Sequence, residues 1–299
     1  MKRSVIYALG FFDGVHLGHQ ALLKACRTLA DRCGCKAGVV TFGNHPDALV
    51  QGSAPRLINS LSDRKRLLSQ FHMDTVLELP FDEDLRSMSW MDFLGMLCRQ
   101  HQAKGFVCGA DFRFGHKGGG TAALLEEYCR TEGLPCAVVP EQKLGDITVS
   151  STHIRALLEA GEVEDANRFL GHPHILSGTV VPGKQLGRTI GVPTANLTLP
   201  EGVLCPRRGV YACLAETEYG RHMAVANIGT RPTVEGSDIT AEPWLLDFQG
   251  DLYGKHLTLE LRHFLRPEEK FGSLEELKAA IAADAAKTRV LLKDTGKKL

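Results

Sequence analysis

Ala8-Leu9-Gly10-Phe11-Phe12-Asp13-Gly14-Val15-His16-Leu17-Gly18-His19-Gln20 is the stretch that decides how the first half of this chain folds. The apolar run Val5 to Leu9 before it reads as a strand, and Leu22, Leu23, Cys26, Leu29 and Ala30 follow at helical spacing. His16 and His19 therefore stand where a strand hands over to a helix. The first turn of a helix carries unpaired N–H groups and the positive end of the helix dipole, so it attracts anions. Three residues apart, the histidines share one face of that turn, and Gly18 between them lets a ligand approach the backbone. The arrangement suits a nucleotide triphosphate. A bare His-x-x-His also arises by chance or as part of a metal site, but no Cys, Asp or Glu follows at ligand spacing.

Around this turn the sequence alternates short apolar runs with helical periods up to about residue 170. The strand-like runs are Val5–Leu9, Ala37–Phe42, Thr75–Leu79, Gly105–Cys108 and Cys136–Val139; helical stretches lie near 18–33, 62–71, 90–101 and 121–132. Such alternation predicts a parallel sheet covered on both faces, with ligands at the carboxyl ends of its strands. A second anion signal follows at Val149-Ser150-Ser151-Thr152-His153-Ile154-Arg155, where Ser150 or Ser151 can cap a helix over 152–160 that Gly161 closes. A plain helix cap accounts for the serines; Arg155 in the first turn adds a cation beside hydroxyls and free N–H groups.

After Leu170-Gly171-His172-Pro173 the pattern changes to short strands with glycine-rich turns: 177–181, 210–216, 223–228, 244–248 and 257–264. Close spacing without intervening helices predicts a small antiparallel barrel, followed by an amphipathic helix from Ser273 to about Leu292 with Ser273 and Glu276 as a capping box. The expected domains are 1–172 and 173–299. A chain of 299 residues suits two cores. Lys plus Arg and Asp plus Glu each number 35, so no overall field favours nucleic acid or a membrane surface. No apolar run approaches the roughly 18 residues of a membrane span. With no room for a signal peptide before the first strand, the expected location is the cytoplasm. Nine cysteines, an odd number and mostly scattered, argue against a disulfide framework; Cys33-Gly34-Cys35 reads as incidental thiols.

The barrel segment opens with Gly183-Lys184-Gln185-Leu186-Gly187-Arg188-Thr189-Ile190-Gly191-Val192-Pro193-Thr194-Ala195-Asn196. It lacks the Gly-Lys-Ser/Thr ending of a Walker loop, and its charges exclude a membrane helix-packing motif. A mobile hairpin is one reading; backbone N–H groups with Lys184 and Arg188 can equally cradle phosphates. Thr194 and Asn196, two apart on an extended segment, put two oxygen ligands on one side, which suits a hard cation such as Mg²⁺.

The string at Gly10–Gln20 resembles the signature of the nucleotidyltransferase superfamily, and nearly the whole chain resembles the bacterial bifunctional riboflavin kinase/FAD synthetases. The remaining matching motifs are Thr41-Phe42-x-x-His45-Pro46, Gly109-x-Asp111-Phe112-x-Phe114-Gly115, Ser150-Ser151-Thr152-x-x-Arg155, Gly187-Arg188 through Pro193-Thr194-Ala195-Asn196, Gly209-Val210-Tyr211, Asn227 through Thr233, Leu246-Asp247-Phe248 with Leu252-Tyr253-Gly254-Lys255, and Leu265-Arg266-Pro267 with Lys270-Phe271. The resemblance implies a Rossmann-like nucleotidyltransferase domain before a riboflavin kinase barrel, with riboflavin, FMN and ATP as substrates and Mg²⁺ as the metal. It implies that Gly10, Phe12, Asp13, His16, Gly18, His19 and His45 form the first nucleotide site. Ser151, Thr152 and Arg155 would close over the same phosphates, and Asp111 with Phe112 and Phe114 would handle FMN or nucleotide. In the barrel it implies ATP on Gly183, Lys184, Gly187 and Arg188, metal on Thr194 and Asn196, Glu242 as base on the riboflavin 5′-hydroxyl, and Arg266 and Phe271 over the flavin.

Phe11, Asn44, His172, Val192 and Pro243-Trp244 depart from the family's commonest residues, and none removes a catalytic group. Two rival readings stand beside this one: an adenylyltransferase with a degenerate kinase barrel, and a non-catalytic flavin- or nucleotide-binding regulator. The intact histidines, Thr194, Asn196 and Glu242 weigh against both. Self-association is left open by the sequence.

Overall fold

The computed structural model describes residues 4–50, 54–183, 191–233 and 236–293. Its contacts divide the chain into two compact units: residues 1–56 with 64–150, and residues 57–63 with 151–299.

The first unit is built on five parallel strands, β1 (Val5–Leu9), β2 (Lys36–Phe42), β3 (Thr75–Leu79), β4 (Ala103–Gly109) and, after the short ribbon β5–β6 (Arg113–Phe114, Gly120–Thr121), β7 (Cys136–Val139). They lie in the order β3-β2-β1-β4-β7. All five residues of β1 are buried, as expected for the central strand of a parallel sheet covered on both faces. The chain builds outward through β2 and β3, then crosses to the other side of β1 for β4. The order therefore switches at β1, and the crevice at such a switch is where ligands bind in open α/β sheets. Helix α1 (Leu17–Arg32) buries Leu22, Leu23, Cys26 and Ala30 of the stripe read from the sequence, while Leu29 is half-buried. The Cys26 thiol donates to the Ile6 carbonyl at 3.2 Å, and burial pushes its pKa up to about 11, so it is a packing group. Between β2 and β3 come α2 (Pro46–Val50) and α3 (Leu61–Ser69); α4 (Glu83–Ser87), α5 (Trp90–His101) and α6 (Ala122–Glu132) complete the set.

The second unit opens with α7 (Ser151–Ala160) and α8 (Val163–Leu170), which follow a two-strand ribbon, β8–β9 (Lys143–Leu144, Ile147–Thr148). A closed barrel follows, formed by β10 (His174–Val181), β11 (Asn196–Thr198), β12 (Gly209–Thr217), β13 (Gly220–Thr233), β14 (Gly236–Leu245) and β15 (His256–Arg266) in the order β10-β11-β14-β13-β12-β15. Closure removes the exposed edges of an antiparallel sheet. Asn167 of α8 ties the helix pair to the barrel: its Nδ2 donates to Leu261 O at 2.9 Å and its Oδ1 accepts from His174 N at 2.7 Å. By packing, residues 151–170 therefore go with the barrel, and the division falls at 150/151, earlier than the change in sequence pattern near 172. The last helix, α9 (Leu274–Leu292), starts as expected, with Ser273 Oγ accepting from Glu276 N at 3.2 Å. The Glu276 carboxylate returns to Gly272 N at 2.8 Å, one residue earlier than a capping box predicts.

The strand expected over 244–248 instead spans Gly236–Leu245. Asp247 has φ +59, a left-handed backbone that turns the chain out of the sheet although Leu245, Leu246 and Phe248 read as an apolar run. Pro243 is accommodated within β14. Its carbonyl accepts from Ala195 N at 2.9 Å, so its missing N–H lies on the same side, beyond the end of the β11 pairing.

Candidate active sites

In the first unit, β1 ends at Leu9 and three residues with unusual backbone carry the chain into α1: Phe12 at φ +61, Gly14 at φ +80 and Val15 at φ +42. Positive φ at buried Phe12 and Val15 costs roughly 1–3 kcal/mol each and persists only where surroundings enforce it, commonly at ligand sites. His16 is the N-cap of α1, its Nδ1 accepting from His19 N at 3.4 Å. The His16 and His19 rings stack with centroids 3.6 Å apart and 17° between planes, and Phe12 packs on His19 at 5.1 Å. The His16 ring lies against Gly18, where a Cβ would stand 3.1 Å from its Cε1. Glycine at 18 thus makes room for the neighbouring histidine.

His19 Nδ1 is buried without a hydrogen-bond partner among the described residues. Burial, then the adjacent His16 and the Arg64 cation, hold the His19 pKa well below the usual histidine range. His19 is therefore neutral at pH 7 and offers one N–H donor. Gly10 backs onto the Phe12 ring, and Asp13 is buried in the same turn. His45 lies edge-on to Phe11 at 4.6 Å, its Nδ1 accepting from Asp47 N at 3.1 Å, so it joins the cluster through Phe11. Asp111 is exposed on the turn after β4, beside stacked Phe112 and Phe114 rings 5.4 Å apart. Asn44 bridges to Phe81 in both directions, at 2.9 and 3.0 Å, which gives the departure at that position a structural role.

In the second unit, α7 begins at Ser151, which leaves Ser150 in the capping position; Thr152 is exposed and Arg155 half-buried in the first turn and a half. In the barrel, Thr194, Glu242, Arg266 and Phe271 line one cavity of about 780 Å³, within the usual range for small-molecule sites. Glu242 and Trp244 alternate onto the same face of β14 and stand directly opposite Asn227 and Val225 of β13. Arg266 at the end of β15 is clamped by buried Asp284 of α9: Nε lies 3.2 and 3.1 Å from the two carboxylate oxygens and Nη2 donates at 2.9 Å. The guanidinium then lies over the Phe271 ring at 5.4 Å. Thr194 also lines a second, smaller cleft with Val180, Pro193, Phe248 and Tyr253, so it stands where the two openings meet.

Asn196 packs against the Gly183 backbone so closely that a Cβ at 183 would clash with its carboxamide. Lys184, Gly187 and Arg188 lie outside the described residues. Among the described residues no group of three or more His, Cys, Asp and Glu could hold a metal ion. The hydroxyl of Thr194 and the carboxamide of Asn196 are hard oxygen donors that fit Mg²⁺ when nucleotide phosphates complete its shell.

Sequence reasoning missed Arg64, Asp284 and Trp244. Arg64 and Asp284 reach their sites from helices far along the chain, and no local spacing announces them. Trp244 stood out in the sequence only as an unusual neighbour of Glu242.

A histidine-lined helix start at the switch point of a parallel sheet, and a closed barrel whose carboxylate, hydroxyl and arginine face one cavity, suit a nucleotidyltransferase unit joined to a small-molecule kinase unit. Family models agree: the FAD synthetase model matches residues 1–153 and the riboflavin kinase model residues 170–292. The chain belongs to the family of bifunctional riboflavin kinase/FMN adenylyltransferases and carries both activities in one polypeptide. It is 37% identical to the Escherichia coli K12 member over 96% of this chain and 93% of that one. The Listeria monocytogenes member is 33% identical over 95% and 91%. A solved structure from Streptococcus pneumoniae described as a macrolide-efflux protein superposes with a TM-score of 0.87 at 30% identity, covering 97% of this chain and 95% of that one. The efflux description is that protein's own; among the described residues here no helix is long and apolar enough to cross a membrane.

Proposed function

We propose that the barrel, with residues 173–299 as the functional domain, transfers the ATP γ-phosphate to the riboflavin 5′-hydroxyl, and that residues 1–172 adenylylate the resulting FMN. The observation that carries the kinase assignment is Thr194, shared by the Glu242 cavity and the smaller cleft: flavin in one and nucleotide in the other would meet there. Glu242 accepts the hydroxyl proton as the new O–P bond forms and ADP leaves. Arg266 and Phe271 hold the flavin. Gly183, Lys184, Gly187 and Arg188 hold the ATP phosphates. Thr194 and Asn196 would hold Mg²⁺, which would supply neutralising charge to those phosphates.

In the second reaction an FMN phosphate oxygen attacks the α-phosphorus of a second ATP and pyrophosphate departs. A phosphate monoester has its second pKa near ~6, so no side-chain base is needed. His16 and His19 donate to the triphosphate from the helix start, with Gly10, Phe12, Asp13, Gly18 and His45 shaping the pocket. Ser151, Thr152 and Arg155 contribute to the same phosphates, and Asp111 to FMN. All nine thiols are free, which suits a reducing compartment, and we assign the chain to the cytoplasm.

Single substitutions separate the two reactions. Glu242→Gln lowers FMN formation by about 10²-fold or more, as expected for loss of a general base. His19→Ala abolishes FAD synthesis while FMN accumulates. Near-normal FMN turnover in the first variant would remove Glu242 from its role; joint loss of both products in the second would defeat the two-site assignment.

A further inference from the structure

Arg64 is fully buried at the carboxyl edge of the parallel sheet, yet its charge is not met by a carboxylate hydrogen bond. From α3 its Nη1 donates to Phe11 O at 2.7 Å and to Thr41 Oγ1 at 3.3 Å, and its Nη2 to Phe42 O at 3.2 Å. Thr41 Oγ1 donates to the same Phe11 carbonyl at 2.9 Å. The guanidinium lies over the Phe11 ring, 4.2 Å from its centroid. All three acceptors are neutral, and Nε is buried with no partner among the described residues. Burial lowers the Arg64 pKa, while Asp13 and Glu78 act on it electrostatically from a distance. An unpaired guanidinium loses hydration that neutral acceptors replace only in part, so a merely structural tie would be better served by an uncharged donor.

The position of the cation explains it. Phe11 O belongs to the peptide leading into Phe12, whose φ of +61 starts the strained turn before His16. Two donors on that one carbonyl fix the orientation of the peptide. Phe42 O lies at the end of β2, the neighbouring strand. The fork thus ties the carboxyl ends of β1 and β2 together, beneath the turn that presents His16 and His19. The same charge acts on His19, where it disfavours a second cation and keeps the ring neutral.

We propose that Arg64 is a positioning residue for adenylyl transfer, pre-orienting the Phe11–His16 turn and supplying fixed positive potential behind the triphosphate and the departing pyrophosphate. The proposal rests on assigning adenylyl transfer to the first unit. It adds a charge that the triphosphate feels through the loop, without contact. Preorganised charge of this kind acts on the transition state because no reorganisation accompanies the reaction.

The test uses the full chain with Arg64→Ala and reads the reaction in both directions: FMN plus ATP to FAD, and FAD plus pyrophosphate to FMN and ATP. Riboflavin phosphorylation by the same preparation serves as the internal measure of folded protein. The expected result is a fall of at least about tenfold in kcat/KM for pyrophosphate, with a raised KM, while riboflavin phosphorylation is unchanged. Guanidinium ion at millimolar concentration should restore part of the lost rate, and sodium ion at equal ionic strength should not. A fall in apparent kcat with unchanged KM and no rescue would reduce Arg64 to a structural clamp and overturn the proposal, as would unaltered adenylyl transfer or joint loss of both activities. Failure of the unsubstituted chain to convert FMN to FAD would instead overturn the assignment of the first unit itself.

Discussion

The Arg266–Asp284 clamp offers a quantitative prediction in the barrel. Asp284 is 6% exposed and takes three contacts of 2.9–3.2 Å from Arg266, joining α9 to the end of β15 at the wall of the cavity that Glu242 lines. Breaking a fully buried pair costs about 3–5 kcal/mol because the remaining charge stays unpaired. The Arg266 side chain is 20% exposed, so water can take over part of its hydrogen bonding, and Asp284→Asn should cost about 2–3 kcal/mol. At about 2–4 °C per kcal/mol for a unit of this size, the barrel should melt roughly 5–10 °C earlier. The freed guanidinium also loses its direction over Phe271, so the KM for riboflavin should rise. Thermal melting followed by near-ultraviolet circular dichroism, with riboflavin phosphorylation assayed well below the transition, reads both effects. A double-mutant cycle with Arg266→Met should give a coupling energy of about 2 kcal/mol. A coupling below about 0.5 kcal/mol, with melting temperature and KM unmoved in Asp284→Asn, would refute the clamp.

Four further outcomes follow from the geometry. His174 is fully buried with both ring nitrogens unpartnered among the described residues, and burial pushes its pKa down to about 3. The unfolded chain binds that proton near pH 6.5 and the folded barrel only near 3, so stability falls as pH drops through this window. The slope is at most about 1.4 kcal/mol per pH unit, and His174→Leu should flatten it in melting curves taken between pH 7 and 4.5. Removal of divalent metal by a chelator should stop riboflavin phosphorylation and Mg²⁺ should restore it. Asn196→Ala should raise the Mg²⁺ concentration needed for half-maximal rate, and an unchanged requirement would remove Asn196 from the metal site. Phe12→Gly relieves the positive φ but empties the space against His19, so FAD synthesis should fall while FMN formation persists; equal FAD synthesis would show that the ring does not hold His19.

Much of the fold was legible because its strongest signals are local. The bounds of β1, β3, β7 and α5 match the sequence reading residue for residue, since each is a clean apolar period between polar or glycine breaks. Short α2, α4 and α8 were missed: five to eight residues give barely two turns of periodicity. The end of β14 was misplaced because the left-handed backbone of Asp247 outweighs an apolar run that looks like strand. The stacked pair His16 and His19 was visible because both residues belong to one helical turn. Arg64 and Asp284 were not, because each meets its partner across at least 18 residues of chain and only the packed structure brings them together. The three-residue strand β11, which carries Asn196, is defined by barrel closure, since its partners β10 and β14 supply its pairing.

The most direct test of the central claim is a time course of the purified full chain with riboflavin, ATP and Mg²⁺, resolving riboflavin, FMN and FAD by chromatography. Two working sites in one polypeptide predict that FMN rises first and then converts to FAD. FAD appearing only when FMN is supplied would contradict the kinase assignment of the barrel, and absence of product from either flavin would contradict the account as a whole.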